Sequence, residues 1–494
     1  MKSLTVKGLV RSVAVLASGT MASQAILLIS SPFLTRLYAP DQFGLLAAYM
    51  ATVTILGAVS TLRYELVIPL PRRDDMAVNA LALTMLCVLV TSVLTAAVLY
   101  SASDFIADRF HYPALPTIGW LVPLGVLGMG TYTALNNWAV RRRSFGTIAR
   151  TKLGQAISQT VIQFASALTP LSTLGLLLGN LVGQSAGITS FAREFHQNDL
   201  ATIKRVNWRR MGFLARHYWD FPVFSLPASV AFSASQQMPA LVMFSLFGPA
   251  TAGFYLLAQR VGMMPATLLG TAMSQSIYKT LADRKKRPEA IGQAVLGPVR
   301  VMSNLTIGPA ALAAMIAPIA TGIIFGHDWI EAGHYLRWMA PWVCATIVFG
   351  AMTPIVSVLG LQKMGLVFQL GSLAASIAGM YAAGQAWGPV AAIAGFSIVK
   401  TLSIIIYRLH MFHLVHIKPQ KIGLSIVAQT AFFVSMFWLA TQVFERDDLE
   451  SGVRIGVITA VLLVTAAVYA ALNLGSLASL RHDPASQSNT LGLP

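Results

Sequence analysis

Apolar runs of 20 or more residues recur along this 494-residue chain, separated by short islands of charge. A run of roughly 20 apolar residues is long enough for a helix to cross the hydrocarbon of a bilayer. The runs therefore predict an all-α polytopic membrane protein. Charge density agrees, since only 11% of the residues are Asp, Glu, Lys or Arg, against about 25% in soluble domains. The basic and then apolar N-terminus has the look of a signal peptide, but its apolar run continues to Leu34. That is too long for a cleaved segment and reads as a retained first span.

Fourteen candidate spans fall near 9–34, 43–70, 77–101, 115–139, 150–169, 171–192, 219–247, 251–278, 293–325, 337–361, 364–383, 388–411, 421–443 and 453–474. The tight joins at 169–171 and 247–251 and the long run at 293–325 leave counts of twelve and thirteen open. Placing the N-terminus in the cytoplasm puts 26 of the 35 Lys and Arg in cytoplasmic segments, five outside and four within spans. That asymmetry is the topology signal of membrane proteins. It accounts for the net charge of +17 as a face toward anionic inner-leaflet lipid, so no nucleic-acid partner is expected. Arg337 is counted among the external five, in a loop before the span at 337–361. Both termini are expected in the cytoplasm.

Several chemistries find no support. Cys87 and Cys344 sit inside apolar runs as packing residues, and no metal-ligand spacing is present. No phosphate-cradling glycine loop with its lysine occurs. No cofactor and no metal are expected. Enzymatic work on lipid-linked sugars calls for acid–base groups on a sizeable external loop. External loops here are short, and His111, His327 and His334 are scattered, so the chain is not expected to be an enzyme.

A basic stretch at 193–218 divides the chain after six spans, and the two sides echo each other. Pro40-Asp-Gln-Phe-Gly44 opens span 2 and Pro249-Ala-Thr-Ala-Gly253 opens span 8, 209 residues later. Arg143-Ser-Phe-Gly146 before span 5 is echoed by Gln362-Lys-Met-Gly365 before span 11. An even repeat of six spans relates the halves by an axis along the membrane normal, and transporters built this way bind substrate between their halves. The predicted organisation is a six-helix bundle at 1–192, a basic cytoplasmic linker at 193–218 and a second six-helix bundle at 219–411. An extra helix pair with a cytoplasmic tail fills 412–494.

Polar faces inside the spans suggest a lined cavity. Gly253, Arg260, Thr267 and Ser274 recur every seven residues and share one helix face. Thr20, Gln24, Ser31 and Thr35 in span 1 and Ser225, Ser229, Ser233 and Gln236 in span 7 form polar faces, and under the 209-residue offset Thr20 matches Ser229 and Gln24 matches Ser233. Helix–helix contact is the alternative reading for such small polar residues. Arg260 lies roughly 13 Å inside its span, near mid-depth, as cavity lining or as half of an ion pair. Lys400 is also near mid-depth. Arg300 either joins the cavity or, being near the cytoplasmic end of its span, snorkels. Arg63 and Glu65 are two residues apart, so on a helix they do not face each other, and either each needs a different partner or both face a wet vestibule. Glu65 is either a titrating group or part of a structural pair. The balance of buried charge is cationic and suits an anionic headgroup.

The run SSPFLTRLYAPDQFGLLAAYMATVTILGAVSTLRYELVIPLP at 30–71 resembles the N-terminal signature of Wzx-type O-antigen and exopolysaccharide flippases, polysaccharide biosynthesis proteins of the multidrug/oligosaccharidyl-lipid/polysaccharide exporter superfamily. GFYLLAQRVGMMPATLLGTAMSQSIY at 253–278 is similar to the second-half signature. The resemblance covers about residues 10–410. It implies two six-helix bundles around a central cavity. It also implies a polyprenyl-pyrophosphate-linked oligosaccharide as substrate, moved from the inner to the outer leaflet of the bacterial inner membrane by alternating access. Arg260 would meet the pyrophosphate and sugars, and spans 13–14 would help to hold the lipid tail. The polysaccharide polymerase and export machinery are further expected partners. The alternative is a Na⁺- or H⁺-coupled multidrug exporter of the same fold, which calls for acidic residues in spans 1 and 7. Span 1 has none, and span 7 has only Asp220 at its edge.

Overall fold

The computed structural model describes residues 6–109, 115–169, 172–283, 288–350, 352–359 and 361–414. The expected spans at 421–443 and 453–474 lie outside the described residues. Every described element is helical: α1 (Val6–Leu37), α2 (Pro40–Ser60), α3 (Asp74–Arg109), α4 (Leu115–Ile118), α5 (Leu121–Arg142), α6 (Phe145–Ala167), α7 (Ser172–Ser185) and α8 (Gly187–Ile203). Then follow α9 (Trp208–His217), α10 (Leu226–Phe247), α11 (Pro249–Asp283), α12 (Pro288–Phe325), α13 (Ile330–Gly350), α14 (Thr353–Val358), α15 (Gln362–Trp387) and α16 (Pro389–Leu414). Among the described residues, seven helices are long and apolar enough to cross a membrane: stretches of α1, α2, α3, α12, α15 and α16, and Phe221–Phe247, which ends in α10.

Punctuation is local. Gly248 (φ 92°) ends α10 and Gly388 (φ 87°) ends α15, each followed by a proline that opens the next helix. Glycine reaches positive φ without a Cβ clash, and proline tolerates the first helical turn, where its missing N–H loses nothing. The expected sixth span at 171–192 is divided: α7 ends at Ser185 and α8 continues to Ile203. Much of the basic stretch at 193–218 is therefore helical, in α8 and α9.

The chain forms two compact units. The first comprises residues 1–261, 322–329 and 369–392. Here α1 packs on α6, α6 on α7, α2 on α10, and α3 on α5. Small residues allow close approach: Gly19 lies against the Ala149 backbone, and Gly183 against Gln159. Trp329 is buried edge-on to Phe43, and its indole N–H donates to the Thr35 carbonyl at 3.0 Å.

The two Pro-x-x-x-Gly motifs found in the sequence meet in this unit. A Cβ on Gly44 would strike the Pro249 carbonyl, and a Cβ on Gly253 would strike the Pro40 carbonyl. Each glycine of one motif thus receives the proline carbonyl of the other, so the first turns of α2 and α11 approach backbone to backbone. Gly253, on the helix face that also carries Arg260, is thus a packing position.

Of the described residues, the second unit comprises those within 262–321, 330–368 and 393–414. Its core includes Val295, Val299, Val348, Met352, Ile355, Met411 and Phe412, contributed by α12, α13, α14 and α16. Trp342 of α13 stacks edge-on with Phe396 of α16 at 5.2 Å. Arg337, expected in an external loop, lies instead inside α13 at 5% exposure. Its Nε donates to the Ala314 carbonyl at 3.4 Å and its Nη2 to the Met315 carbonyl at 3.5 Å. The apolar window from 337 misplaced the helix start, because α13 opens with a polar turn at Ile330 that carries Glu331.

Candidate functional site

Arg260 occupies the fourth turn of α11, next to the buried Leu257 and Ala258, and is itself half-buried. Its Nη1 donates to Ser31 Oγ of α1 at 3.2 Å. Ser31 is fully buried, and its own hydroxyl proton is committed to the Leu27 carbonyl at 2.7 Å. The serine oxygen therefore has lone pairs free to accept from the guanidinium. Next to it, Gln259 Nε2 donates to the Gln236 carbonyl of α10 at 3.0 Å. Side chains of α11 thus tie to α1 and α10 at this level. Among the described residues no acid pairs with Arg260, and its protein partner is a neutral hydroxyl.

Glu65 is engaged elsewhere. Its Oε1 lies 3.1 Å from Arg63 Nη1, and the carboxylate is 3% exposed. The expectation that these two residues need separate partners assumed a continuous helix, and it fails because α2 ends at Ser60. Leu62 and Arg63 both take the left-handed conformation (φ 48° and 64°), and a 3-10 turn follows over Tyr64–Val67. Two successive left-handed non-glycine residues are each strained by roughly 1–2 kcal/mol. They fold Arg63 back over Glu65.

The remaining candidates are distributed. Gln24 is exposed on α1, and Ser233 and Gln236 are half-buried on α10. Thr267 is exposed and its hydroxyl donates to the Met264 carbonyl of its own helix. In the second unit Arg300 is exposed on α12 and Lys400 is buried on α16, each engaged by neighbouring groups. Among the described residues no cluster of His, Cys, Asp or Glu is arranged to hold a metal ion.

Sequence reasoning placed Ser31 on the polar face of span 1 without its partner, and passed over Gln259 and the acids that hold α8 and α9 to the rest of the first unit. Asp199 of α8 is 4% exposed and accepts from Trp138 Nε1 at 2.9 Å, from Arg142 Nε at 3.1 Å and from Arg142 Nη2. Asp74 accepts from Arg141 at 2.8 Å and from Arg142 at 3.2 Å. Asp75 receives Arg73 at 2.9 Å and Arg210 of α9 at 3.0 Å. Burial alone lowers the Arg142 pKa, but hydrogen bonds and charge from Asp199 and Asp74 outweigh it and hold the group above its ordinary value. Asn79 clamps the turn between α8 and α9, donating to the Arg205 carbonyl at 3.1 Å and accepting from the Asn207 amide at 2.8 Å. The available signal was the placement of Asp74, Asp75 and Asp199 beside arginine-rich stretches.

The profile of the polysaccharide biosynthesis protein family matches residues 33–334. No curated protein sequence matches the chain. Among solved structures, the fold is similar to the lipid II flippase MurJ in an inward closed conformation. The TM-score is 0.67 at 12% identity, covering 92% of this chain and 98% of that one. An inward-facing multidrug resistance MATE family transporter of the MOP superfamily gives a TM-score of 0.63 at 11% identity, covering 82% and 98%. A Vibrio cholerae MATE transporter gives 0.54 at 14% identity, covering 83% and 97%. This is the fold of a multi-pass membrane transporter, and with more than half of its length matched, the chain belongs to the polysaccharide biosynthesis protein family.

Proposed function

We propose that the protein is a flippase. It carries a polyprenyl-pyrophosphate-linked oligosaccharide, an O-antigen or exopolysaccharide repeat unit, from the inner to the outer leaflet of the bacterial cytoplasmic membrane by alternating access. The observation that carries this reading is Arg260, a guanidinium in an apolar helix whose protein partner is the neutral Ser31 hydroxyl. Family membership and likeness to a lipid flippase support it. A pyrophosphate headgroup is too strongly hydrated to cross hydrocarbon unaided. The planar fork of arginine replaces part of that hydration with two parallel bonds to phosphate oxygens. In this reading the prenyl tail stays in lipid, both termini face the cytoplasm, and Gln24, Ser233, Gln236, Thr267, Arg300 and Lys400 line the route of the sugars. The Arg63–Glu65 pair lies beside it, and the polysaccharide polymerase or export machinery takes the product.

Losing one charged hydrogen bond to the headgroup, about 1.5–3 kcal/mol, lowers binding by about 10- to 100-fold. The test is flipping of a labelled polyprenyl-pyrophosphate sugar in proteoliposomes. Arg260→Gln, inserted and folded like the wild type, should lose flipping by that factor, with partial recovery in Arg260→Lys. Undiminished flipping by Arg260→Gln refutes the role.

Multidrug export is the second reading, favoured by the MATE likenesses. Cation coupling there calls for a carboxylate, and residues 15–37 and 226–247 contain no Asp or Glu. A deletion strain with normal surface glycan and new dye sensitivity decides for export.

A further inference from the structure

Arg408 lies in the last turns of α16, where Thr353 of α14 and the first turn of α15 come together. The guanidinium is poorly served. Among the described residues its Nε and Nη1 are buried with no hydrogen-bond partner. Its Nη2 reaches Thr353 Oγ1 at 3.5 Å, the far limit of a hydrogen bond. The Tyr407 ring offers its face at 5.2 Å, and Phe368 packs on that ring at 4.7 Å. Neither aromatic supplies an acceptor for the buried N–H groups. A buried charge without an acceptor is among the costliest arrangements in a folded chain.

The sequence offers no local remedy. Between Glu331 and Glu445 there is no Asp or Glu at all, while Arg337, Lys363, Lys400, Arg408, Lys418 and Lys421 all fall in that interval. Arg337, in the same unit, reaches two backbone carbonyls at 3.4 and 3.5 Å. Among the described residues Nε and Nη1 of Arg408 reach none.

Its depth suggests what the acceptor is. Arg408 comes nineteen residues after Pro389, the first residue of α16. That is roughly 28 Å along the axis, nearly the full hydrocarbon thickness of about 30 Å. A helix crossing from Pro389 brings Arg408 to headgroup level, where Tyr407 has the position usual for interfacial aromatics. Thr353 is exposed, so the Nη2 side of the group opens to the surface. Lys363 is exposed in the first turn of α15, next to Gly365, whose Cβ would touch the Tyr407 hydroxyl at 3.4 Å.

We infer that Arg408, with the Thr353 hydroxyl and Lys363 at its mouth, is a binding site for the phosphate oxygens of a lipid headgroup. The site belongs to the second unit and does not depend on the flippase reading or on Arg260. Its chemistry fits either an anionic phospholipid of the bilayer or the pyrophosphate of a prenyl-linked lipid.

The test uses the full-length protein in a phosphate-free maltoside micelle, titrated separately with phosphatidylglycerol and with farnesyl pyrophosphate. The readout is the thermal unfolding midpoint. The wild type should show a saturable rise with at least one of the two, and the responding lipid identifies the source. Arg408→Gln should raise the half-saturating concentration by about ten-fold or more, the equivalent of one charge-assisted bond. Thr353→Val, which keeps the fold and the charge, should raise it by about two- to five-fold. No rise for the wild type with either lipid overturns the site. So does Arg408→Gln or Thr353→Val responding at the wild-type concentration. Arg260→Gln should respond to phosphatidylglycerol as the wild type does, and in an Arg260→Gln background Arg408→Gln should still raise the half-saturating farnesyl pyrophosphate concentration by about ten-fold, which separates this site from the proposed transport route.

Discussion

Alanine at Gly44 places a methyl group against the Pro249 carbonyl, and alanine at Gly253 places one against the Pro40 carbonyl. In both positions the obstacle is backbone, which has no rotamer to change. A carbon needs about 3.5 Å from its neighbours, and both constructed Cβ atoms fall far inside that distance. The first turns of α2 and α11 must therefore separate by roughly 1.5 Å. Around this crossing Phe43, Leu46, Ala47, Ala252, Tyr255 and Leu256 are buried and would lose contact. Overpacking of this kind is destabilising by about 1–3 kcal/mol, and the rigid obstacle puts each single substitution in the upper part of that range. The reciprocal geometry sharpens the expectation. Either methyl group alone separates the same two turns, so the second methyl enters a gap already opened. The double variant should be less destabilised than the sum of the singles, with a coupling of about 0.5–3 kcal/mol. The assay is reversible denaturant unfolding of the purified protein in mixed micelles, for wild type, both singles and the double. Wild-type stability in Gly44→Ala or strict additivity in the double refutes the backbone crossing.

The other predictions concern attachment of the segments around the first unit. Asp199→Ala removes the acceptor shared by Trp138 and Arg142 and should cost about 1–3 kcal/mol. Trypsin cleavage at Lys204 and Arg205, in the turn after α8, should accelerate, and unchanged cleavage refutes the clamp. Gln42 accepts from the Ala39 amide at 3.0 Å and donates to Ser172 Oγ at 3.1 Å and Thr173 Oγ1 at 2.8 Å. Gln42→Ala should therefore cost about 1–2 kcal/mol by unfolding, and Gln42→Glu should keep the cap while losing the donated bonds.

The sequence by itself determined the class of the protein. Twenty-residue apolar runs force helices because backbone groups in hydrocarbon must bond within their own segment. The paired Pro-x-x-x-Gly openings were legible for a related reason: proline and glycine mark helix boundaries locally, without help from the rest of the fold. Arg260 was legible as a charge out of place, since a charge in an apolar run is conspicuous in one dimension. What the charges touch was not. Periodicity assumes an unbroken helix, so it separated Arg63 from Glu65, and two left-handed residues joined them. It placed Gly253 on a face with Arg260 but gave no sign that the Pro40 carbonyl packs against it. It left Arg337 in a loop, where the carbonyls of α12 hold it inside a helix. Partners across 60, 130 or 230 positions, such as Trp138 with Asp199, Gln42 with Thr173 and Ser31 with Arg260, leave no periodic trace. Only the tertiary structure decided them, because hydrogen-bond distance is set by how helices pack and not by spacing along the chain.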